Sequence, residues 1–146
     1  MRKISHALLL SAATAIALCS SSWAADKPVT SSKVIVKSTT SGDGVPLVYP
    51  TGTPEITSRV TTFPPGAETP LHRHPQPLYA YILEGELTLM AEGEPVRKFK
   101  AGDGFMESTK WHMGRNDGDI PVKLLSVYAG AENLPLSELA TEHNHK

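Results

Sequence analysis

Short runs of strand-forming residues, broken repeatedly by glycine and proline, make up the chain from residue 33 to residue 133. The sequence contains 11 glycines and 12 prolines, and no stretch of twelve or more residues in this region has the apolar period of a helix. Seven short strands in this span predict an all-β sandwich or barrel. The candidate strands are Lys33–Lys37, Ile56–Phe63, Leu78–Leu83, Glu86–Ala91, Val96–Phe99, Gly104–Glu107 and Val122–Tyr128.

The N-terminal end differs from this body. Arg2 and Lys3 precede the apolar run Ala7–Leu18, and small residues stand at Ser22 and Ala24, which is typical of a secretory signal peptide. The apolar run is shorter than the roughly 20 residues that span a bilayer. We therefore predict a signal peptide over 1–24, cleaved near Ala24/Ala25, and a periplasmic or secreted protein without stable membrane insertion.

Three regions follow the predicted signal peptide. Residues 25–32 are polar and predict a flexible N-terminal arm, and residues 33–133 form the predicted β-barrel, a single domain. Residues 134–146 form a polar C-terminal tail, in which Leu136–Ala140 are expected to hold a short helix. His143 and His145 in this tail are interpreted as solvated side chains, with metal delivery as the alternative.

The single cysteine and the net charge indicate whether the protein forms disulfides, carries a lipid anchor or binds nucleic acid. Cys19 is the only cysteine and lies in the predicted signal peptide, so the mature domain forms no disulfide. The alternative is a lipoprotein anchored through Cys19, which we disfavour because Leu18 stands where such signals carry a small residue. The formal net charge of −1 gives no reason to expect a nucleic-acid partner.

Three histidines within residues 33–133 are the main indication of function. Residues two apart on a strand face the same side, so His72 and His74 are expected to project their imidazoles into one space and share a metal ion. His112 lies in a different segment, from which the facing wall of a barrel can supply a third ligand. The alternative is that each histidine is an isolated polar loop residue, but two at ligand spacing favour a metal.

The residues around these histidines resemble the cupin superfamily. Gly66, His72, His74 and Gly85 are in register with its first signature, a Gly, five residues, His-x-His, a Glu and a final Gly. The stretch Gly102–Asn116 is similar to the second signature, whose ending matches His112 and Asn116. The resemblance covers roughly 56–128 and implies a jelly-roll barrel, the double-stranded β-helix, with a mononuclear metal site.

The sequence departs from both signatures. Leu78 or Tyr79 stands where the family has its glutamate ligand, and Glu107 and Thr109 replace the usual Pro and Gly before His112. The expected site therefore has three histidines, which leave a divalent ion its full charge. Glu107 and Gln76 are the candidate additional ligands. The donor set accepts Fe, Mn, Ni, Cu or Zn, so it predicts one divalent ion without fixing the metal.

The candidate pocket residues beside the metal ligands are Tyr79, Trp111 and Arg115, with Arg115 placed to steer an anion. The resemblance implies a metal-dependent enzyme acting on a small oxygen-rich molecule, and the predicted signal peptide implies that it is exported. Its chemistry would be dioxygenase-like, or Lewis-acid catalysis of an isomerase or lyase type. The alternatives are a non-catalytic periplasmic module for a metal ion or a small anionic or sugar ligand, and a purely structural barrel. The resemblance also implies a homodimer through sheet edges.

Overall fold

Nine strands form the framework of the computed structural model, which describes residues 27–141. The predicted signal peptide over 1–24, Cys19, His143 and His145 lie outside the described residues. The strands are β1 Pro54–Phe63, β2 His72–Arg73, β3 Leu78–Glu84, β4 Glu86–Ala91, β5 Arg97–Lys100, β6 Gly104–Met106, β7 His112–Arg115, β8 Val122–Ala131 and β9 Glu138–Leu139. Among the described residues, no helix is long and apolar enough to cross a membrane.

The chain divides into two compact units, Met1–Ser32 and Lys33–Lys146. Residues 27–32 of the first unit are exposed and have no regular secondary structure. The second unit contains all nine described strands.

The strands build two antiparallel sheets. The first has the order β1-β8-β3-β6 and the second the order β5-β4-β7-β2-β9. The apolar core draws on both sheets, which is the arrangement of a jelly-roll barrel. Its buried members are Phe63, Ala80, Ile82, Leu87, Leu89, Phe105, Val122 and Leu124. The predicted all-β fold is confirmed.

Alternating burial explains how the first sheet covers this core. In β3, Leu78, Ala80 and Ile82 are buried, while Tyr79 and Tyr81 on the opposite face are partly exposed. Successive side chains of a strand point to opposite faces, so each strand contributes one inward row. The same alternation continues through β8, whose inward row ends at Tyr128.

Gly85 connects β3 to β4 in a turn that only glycine accommodates. Its φ of 77° lies in the left-handed region. A Cβ atom at this position would lie 2.7 Å from the carbonyl oxygen of Pro121, closer than real contacts allow. This turn sends the chain from one sheet into the other.

The predicted strand Lys33–Lys37 is wrong. These residues belong to none of the sheets, and Val34 is 75% exposed and Ile35 45% exposed. Their alternating pattern suits a strand, but no described strand pairs with them. The short helix expected over Leu136–Ala140 is also wrong, because Glu138–Leu139 form β9, which pairs with β2 inside the predicted tail.

The second sheet brings the histidine-bearing segments together. His72 in β2 lies directly opposite His112 in β7 and opposite Leu139 in β9. Arg73 pairs with Glu138 in the same β2–β9 ladder. The strand that carries the first histidine is therefore held between two neighbours.

Candidate metal centre

His72, His74 and His112 form one cluster. Their ring centroids are separated by 4.9 Å for His72 and His74, 4.5 Å for His72 and His112, and 5.1 Å for His74 and His112. One ligand atom from each histidine lies within 4.8 Å of the other two. The structure thus brings together the three histidines that the sequence singles out.

Each of these imidazoles uses Nδ1 in a hydrogen bond to a backbone carbonyl. His72 Nδ1 lies 2.8 Å from Pro70 O, His74 Nδ1 lies 2.7 Å from Leu136 O, and His112 Nδ1 lies 2.8 Å from Lys110 O. A carbonyl only accepts, so Nδ1 carries the proton and Nε2 retains its lone pair. Hydrogen bonds of this kind orient histidine ligands toward a metal.

Burial keeps the three imidazoles neutral. Desolvation lowers the pKa of His72 and His112, and lowers the pKa of His74 to about 3. The carbonyl partners oppose this shift without reversing it. Because only a deprotonated nitrogen binds a metal, all three histidines are in the form that a divalent ion requires.

The Glu107 carboxylate faces this cluster. Its Oε2 atom lies 3.7 Å from His112 Nε2, and both atoms are buried without a hydrogen bond. Two ligand atoms that each lie about 2.1 Å from one ion are separated by at most about 4.2 Å, so this pair fits a shared ion. Burial raises the pKa of Glu107 to about 7. A divalent cation is the group that these atoms fit.

The backbone holds Glu107 in place. Its amide donates to Leu78 O at 2.9 Å, and its carbonyl accepts from the amide of Gly42 at 2.9 Å. The carboxylate therefore approaches the histidines from the segment after β6, whereas the resemblance places the family glutamate at Leu78 or Tyr79. Leu78 itself is buried beside the cluster.

Gln76, the other candidate ligand, has a different environment. Its side chain packs so closely on β8 that a Cβ atom at Gly130 would overlap Gln76 Oε1. It does not line the cavity that the three histidines surround. Of the two candidate ligands, only Glu107 therefore lines the histidine cavity.

The histidines surround a cavity of about 40 Å³ inside the barrel. Besides the histidines and Glu107, its walls carry the polar side chains of Arg59, Thr61, Thr69, Ser126 and Tyr128. A second cavity of about 210 Å³ lies beside it and shares His74, Leu78 and Glu107 as walls. Glu107 and His74 therefore line both cavities.

The three predicted pocket residues lie outside the histidine cavity. Tyr79 lies on the other face of β3 and lines a separate groove, because alternate residues of a strand face opposite sides. Trp111 is buried beneath the guanidinium of Arg73, whose carbon lies 4.7 Å from the ring centroid. Arg115 pairs with Asp117. None of the three lines the histidine cavity, so their role as pocket residues stays a prediction.

Arg59 and Tyr128 are two of the cavity residues that were not predicted from the sequence. The Arg59 guanidinium carbon lies 5.4 Å from the centroid of the Tyr128 ring, and that ring lies 5.5 Å from the His74 ring. Burial raises the pKa of the Tyr128 hydroxyl, and the neighbouring Arg59 and Ser126 oppose this shift. The alternation of residues along a strand could have indicated the position of Arg59, because Arg59 and Thr61 lie on the same side of β1 as buried Phe63.

Comparisons with known proteins agree with this architecture. A family model described as "Cupin domain" matches residues 59–128. No curated protein matches the sequence. Among solved structures, the DMSP lyase DddQ from Ruegeria pomeroyi DSS-3 is 25% identical with a TM-score of 0.51, over 68% of this chain and 48% of that chain.

Two further structures are similar. An uncharacterized conserved protein with a double-stranded beta-helix domain from Klebsiella pneumoniae is 26% identical with a TM-score of 0.50, over 60% of this chain and 76% of that chain. An oxalate oxidase in complex with the substrate analogue glycolate is 22% identical with a TM-score of 0.46, over 51% of this chain and 41% of that chain. The chain spans less than half the length of the oxidase and of the lyase. The fold and the family match together identify residues 59–128 as a cupin domain.

Proposed function

We propose that this protein binds one divalent metal ion through the Nε2 atoms of His72, His74 and His112 and a carboxylate oxygen of Glu107. The observation that carries the proposal is the shared orientation of the three imidazoles. Each Nδ1 is bonded to a backbone carbonyl, which leaves three lone pairs in one buried cluster. The unpartnered Oε2 of Glu107 completes a set of three nitrogens and one oxygen.

The proposed activity is metal-dependent chemistry on a small oxygen-rich molecule. When bound, the ion would supply Lewis-acid polarisation, or oxygen chemistry if it is iron or manganese. Arg59, Ser126 and Tyr128 line the cavity and would orient the substrate, and the Tyr128 hydroxyl, whose pKa is raised further by burial, keeps its proton and can act as a donor. Similarity to a protein that is a lyase favours the Lewis-acid type over the dioxygenase-like type.

The alternative is a non-catalytic module that binds a metal ion or a small ligand. The observation in its favour is the small cavity of about 40 Å³, because one water needs roughly 10–15 Å³ of such space. An ion with a few waters fills that volume. A binding module predicts metal retention without turnover of any small oxygen-rich substrate.

Elemental analysis of purified, untagged protein tests the metal proposal. We expect about one equivalent of a divalent metal in the wild type and a large loss in His72→Ala, His74→Ala and His112→Ala. The matched control is the double variant His143→Ala/His145→Ala, which removes two histidines from the tail. Metal that disappears in the control and persists in the other variants would contradict the proposal.

We also propose that the protein is exported, with the signal peptide over 1–24 removed. The support is the basic, apolar and small-residue pattern of these residues. Fractionation of a bacterial expression host, followed by mass measurement of the periplasmic protein, tests this proposal. An intact Met1 in cytoplasmic protein would contradict it.

A homodimer is proposed through the edge of the first sheet. β1 is an edge strand, and its residues Ile56 and Val60 are 68% and 55% exposed. An exposed edge with apolar side chains favours pairing with a second copy. Light scattering should give twice the chain mass, and Val60→Lys should give the mass of one chain. A wild-type monomer would contradict the dimer.

A further inference from the structure

Arg59 lines the histidine cavity, and no residue in the described range 27–141 forms an ion pair with it. The described part of the chain contains four arginines, and three of them form ion pairs: Arg73 with Glu138, Arg97 with Glu94, and Arg115 with Asp117. No ion pair to Arg59 is formed by the described residues. Its side chain lines the histidine cavity and is exposed as well, so it can meet an anion that enters the cavity from solvent.

The position of Arg59 is fixed by its strand and by Tyr128. Phe63 points into the core from β1, and Thr61 and Arg59 continue that inward row. The guanidinium then lies over the Tyr128 ring, at 5.4 Å from its centroid, which favours a cation. The same ring also approaches His74. Tyr128 thus connects the cation to the histidine cluster.

The remaining cavity walls add donors and no second carboxylate beside Glu107. Thr61, Thr69, Ser126 and Tyr128 contribute hydroxyl groups. With a divalent ion bound, the charge of the ion and of Arg59 exceeds that of the Glu107 carboxylate. Because the site is also partly desolvated, it selects an anion over a neutral molecule of the same shape. Arg59 is exposed, so a ligand from solvent reaches it.

We propose that Arg59 binds the carboxylate of the ligand, and that the ligand is a small carboxylate with a second oxygen function directed toward the histidine cluster. The planar guanidinium offers two parallel N–H donors to a carboxylate, and the ion attracts the second oxygen. Tyr128 holds the guanidinium and donates its hydroxyl to the bound ligand. This inference rests on the proposed metal site and names its substrate class.

Calorimetric titration of zinc-loaded protein tests the subsite. The probes are lactate and 3-hydroxypropionate, each compared with its neutral amide. Wild type should bind at least one of the carboxylates about tenfold or more tightly than its amide, since hydrogen bonds to charged groups contribute that much. Arg59→Gln should lose this preference, and Arg59→Lys should retain part of it.

Arg115→Gln is the matched control, because it removes the same charge from a side chain that lies outside the cavity. It should keep the wild-type preference. A preference that survives in Arg59→Gln, or that is missing from the wild type for both probes, would overturn the subsite.

Zinc content separates this inference from the metal proposal. Arg59→Gln should retain one equivalent of zinc, and zinc loss in this variant would also overturn the carboxylate role. If the wild type itself binds no zinc, the metal proposal fails, and the same titration on metal-free protein then decides the subsite. In metal-free protein, a carboxylate preference that depends on Arg59 would support the subsite. The absence of such a preference would refute the subsite.

Discussion

Oε2 of Glu107 and Nε2 of His112 lie 3.7 Å apart, both buried and neither hydrogen-bonded. In a metal-free protein this arrangement is costly, because a buried carboxylate without a partner loses its hydration. The ion that we propose would remove that cost by binding both atoms. Stability without metal and affinity for metal therefore favour different residues at position 107.

Glu107→Gln should separate metal affinity from protein stability. Without metal, we expect the variant to unfold at the same temperature as the wild type or at a higher one, because a neutral amide is easier to bury. The metal dissociation constant should increase by about tenfold or more, because a charged ligand is lost. Thermal unfolding with and without one equivalent of zinc measures both effects. A variant that is less stable without metal, with unchanged metal affinity, would assign Glu107 a structural role only.

The C-terminal segment should be required to orient His74. Leu136 O accepts the proton of His74 Nδ1 at 2.7 Å, and β9 pairs with the strand that carries His72. Removal of residues 134–146 should weaken metal binding by about 10- to 100-fold, which is the usual cost of losing such orienting contacts. Competition with a chromophoric chelator measures the change.

Removal of only residues 142–146 is the matched control, since it retains β9 and deletes His143 and His145. Its metal affinity should equal that of the wild type. Glu138→Gln provides a milder test, because it weakens the ion pair of 2.8 Å between Arg73 and Glu138 without deleting backbone. Equal affinities in both truncated proteins would show that β9 does not position the ligands.

Gly85→Ala should destabilise the fold more than Gly93→Ala. Both glycines have a positive φ, 77° and 68°, but a Cβ at Gly85 would overlap Pro121 O, while nothing lies within 4 Å of one at Gly93. The left-handed conformation alone costs roughly 1–2 kcal/mol for a residue with a Cβ. Urea unfolding should give a loss of this size for Gly93→Ala and a larger loss for Gly85→Ala. Equal losses would mean that the contact with Pro121 relaxes freely.

Leu87→Ala should cost far more stability than Leu83→Ala. Leu87 is 1% exposed and belongs to the core between the sheets, whereas Leu83 is 46% exposed. A buried Leu→Ala change typically costs about 2–5 kcal/mol, and exposed substitutions stay within about 0.5 kcal/mol. Denaturant unfolding of the two variants gives the comparison. Similar midpoints would place the core elsewhere than between the two sheets.

Strands with a regular period were predictable from the sequence. Glu86–Ala91 has the bounds of β4 as predicted, and the strand predicted at Leu78–Leu83 is one residue shorter than β3. The strands β2, β7 and β9 were missed, because two to four residues are too few for a period to appear. At Lys33–Lys37 a strand was predicted that is not present. The alternation of these residues is strand-like, but whether a segment pairs into a sheet is decided by distant residues.

The residues of the candidate site also divide into those that the local sequence predicts and those whose position depends on distant residues. His72, His74 and His112 were predicted from local spacing and resemblance, and they do meet in the structure. Glu107 was a candidate because it is close to His112 in sequence. Arg59 was missed, because the direction of a charged side chain depends on which face of β1 the barrel encloses. That choice follows from the pairing of β1 with β8, which are far apart in the sequence.

A crystal structure of the protein loaded with one equivalent of zinc tests the proposed metal site most directly. We predict an ion bound to Nε2 of His72, His74 and His112 at about 2.0–2.1 Å and to a Glu107 oxygen at about 2.0–2.2 Å. Each Nδ1 should still face its backbone carbonyl. A bound ion that leaves Glu107 without a partner would refute the four-ligand site. An ion bound through Nδ1, or bound at His143 and His145 with the buried cluster empty, would contradict the metal site as a whole.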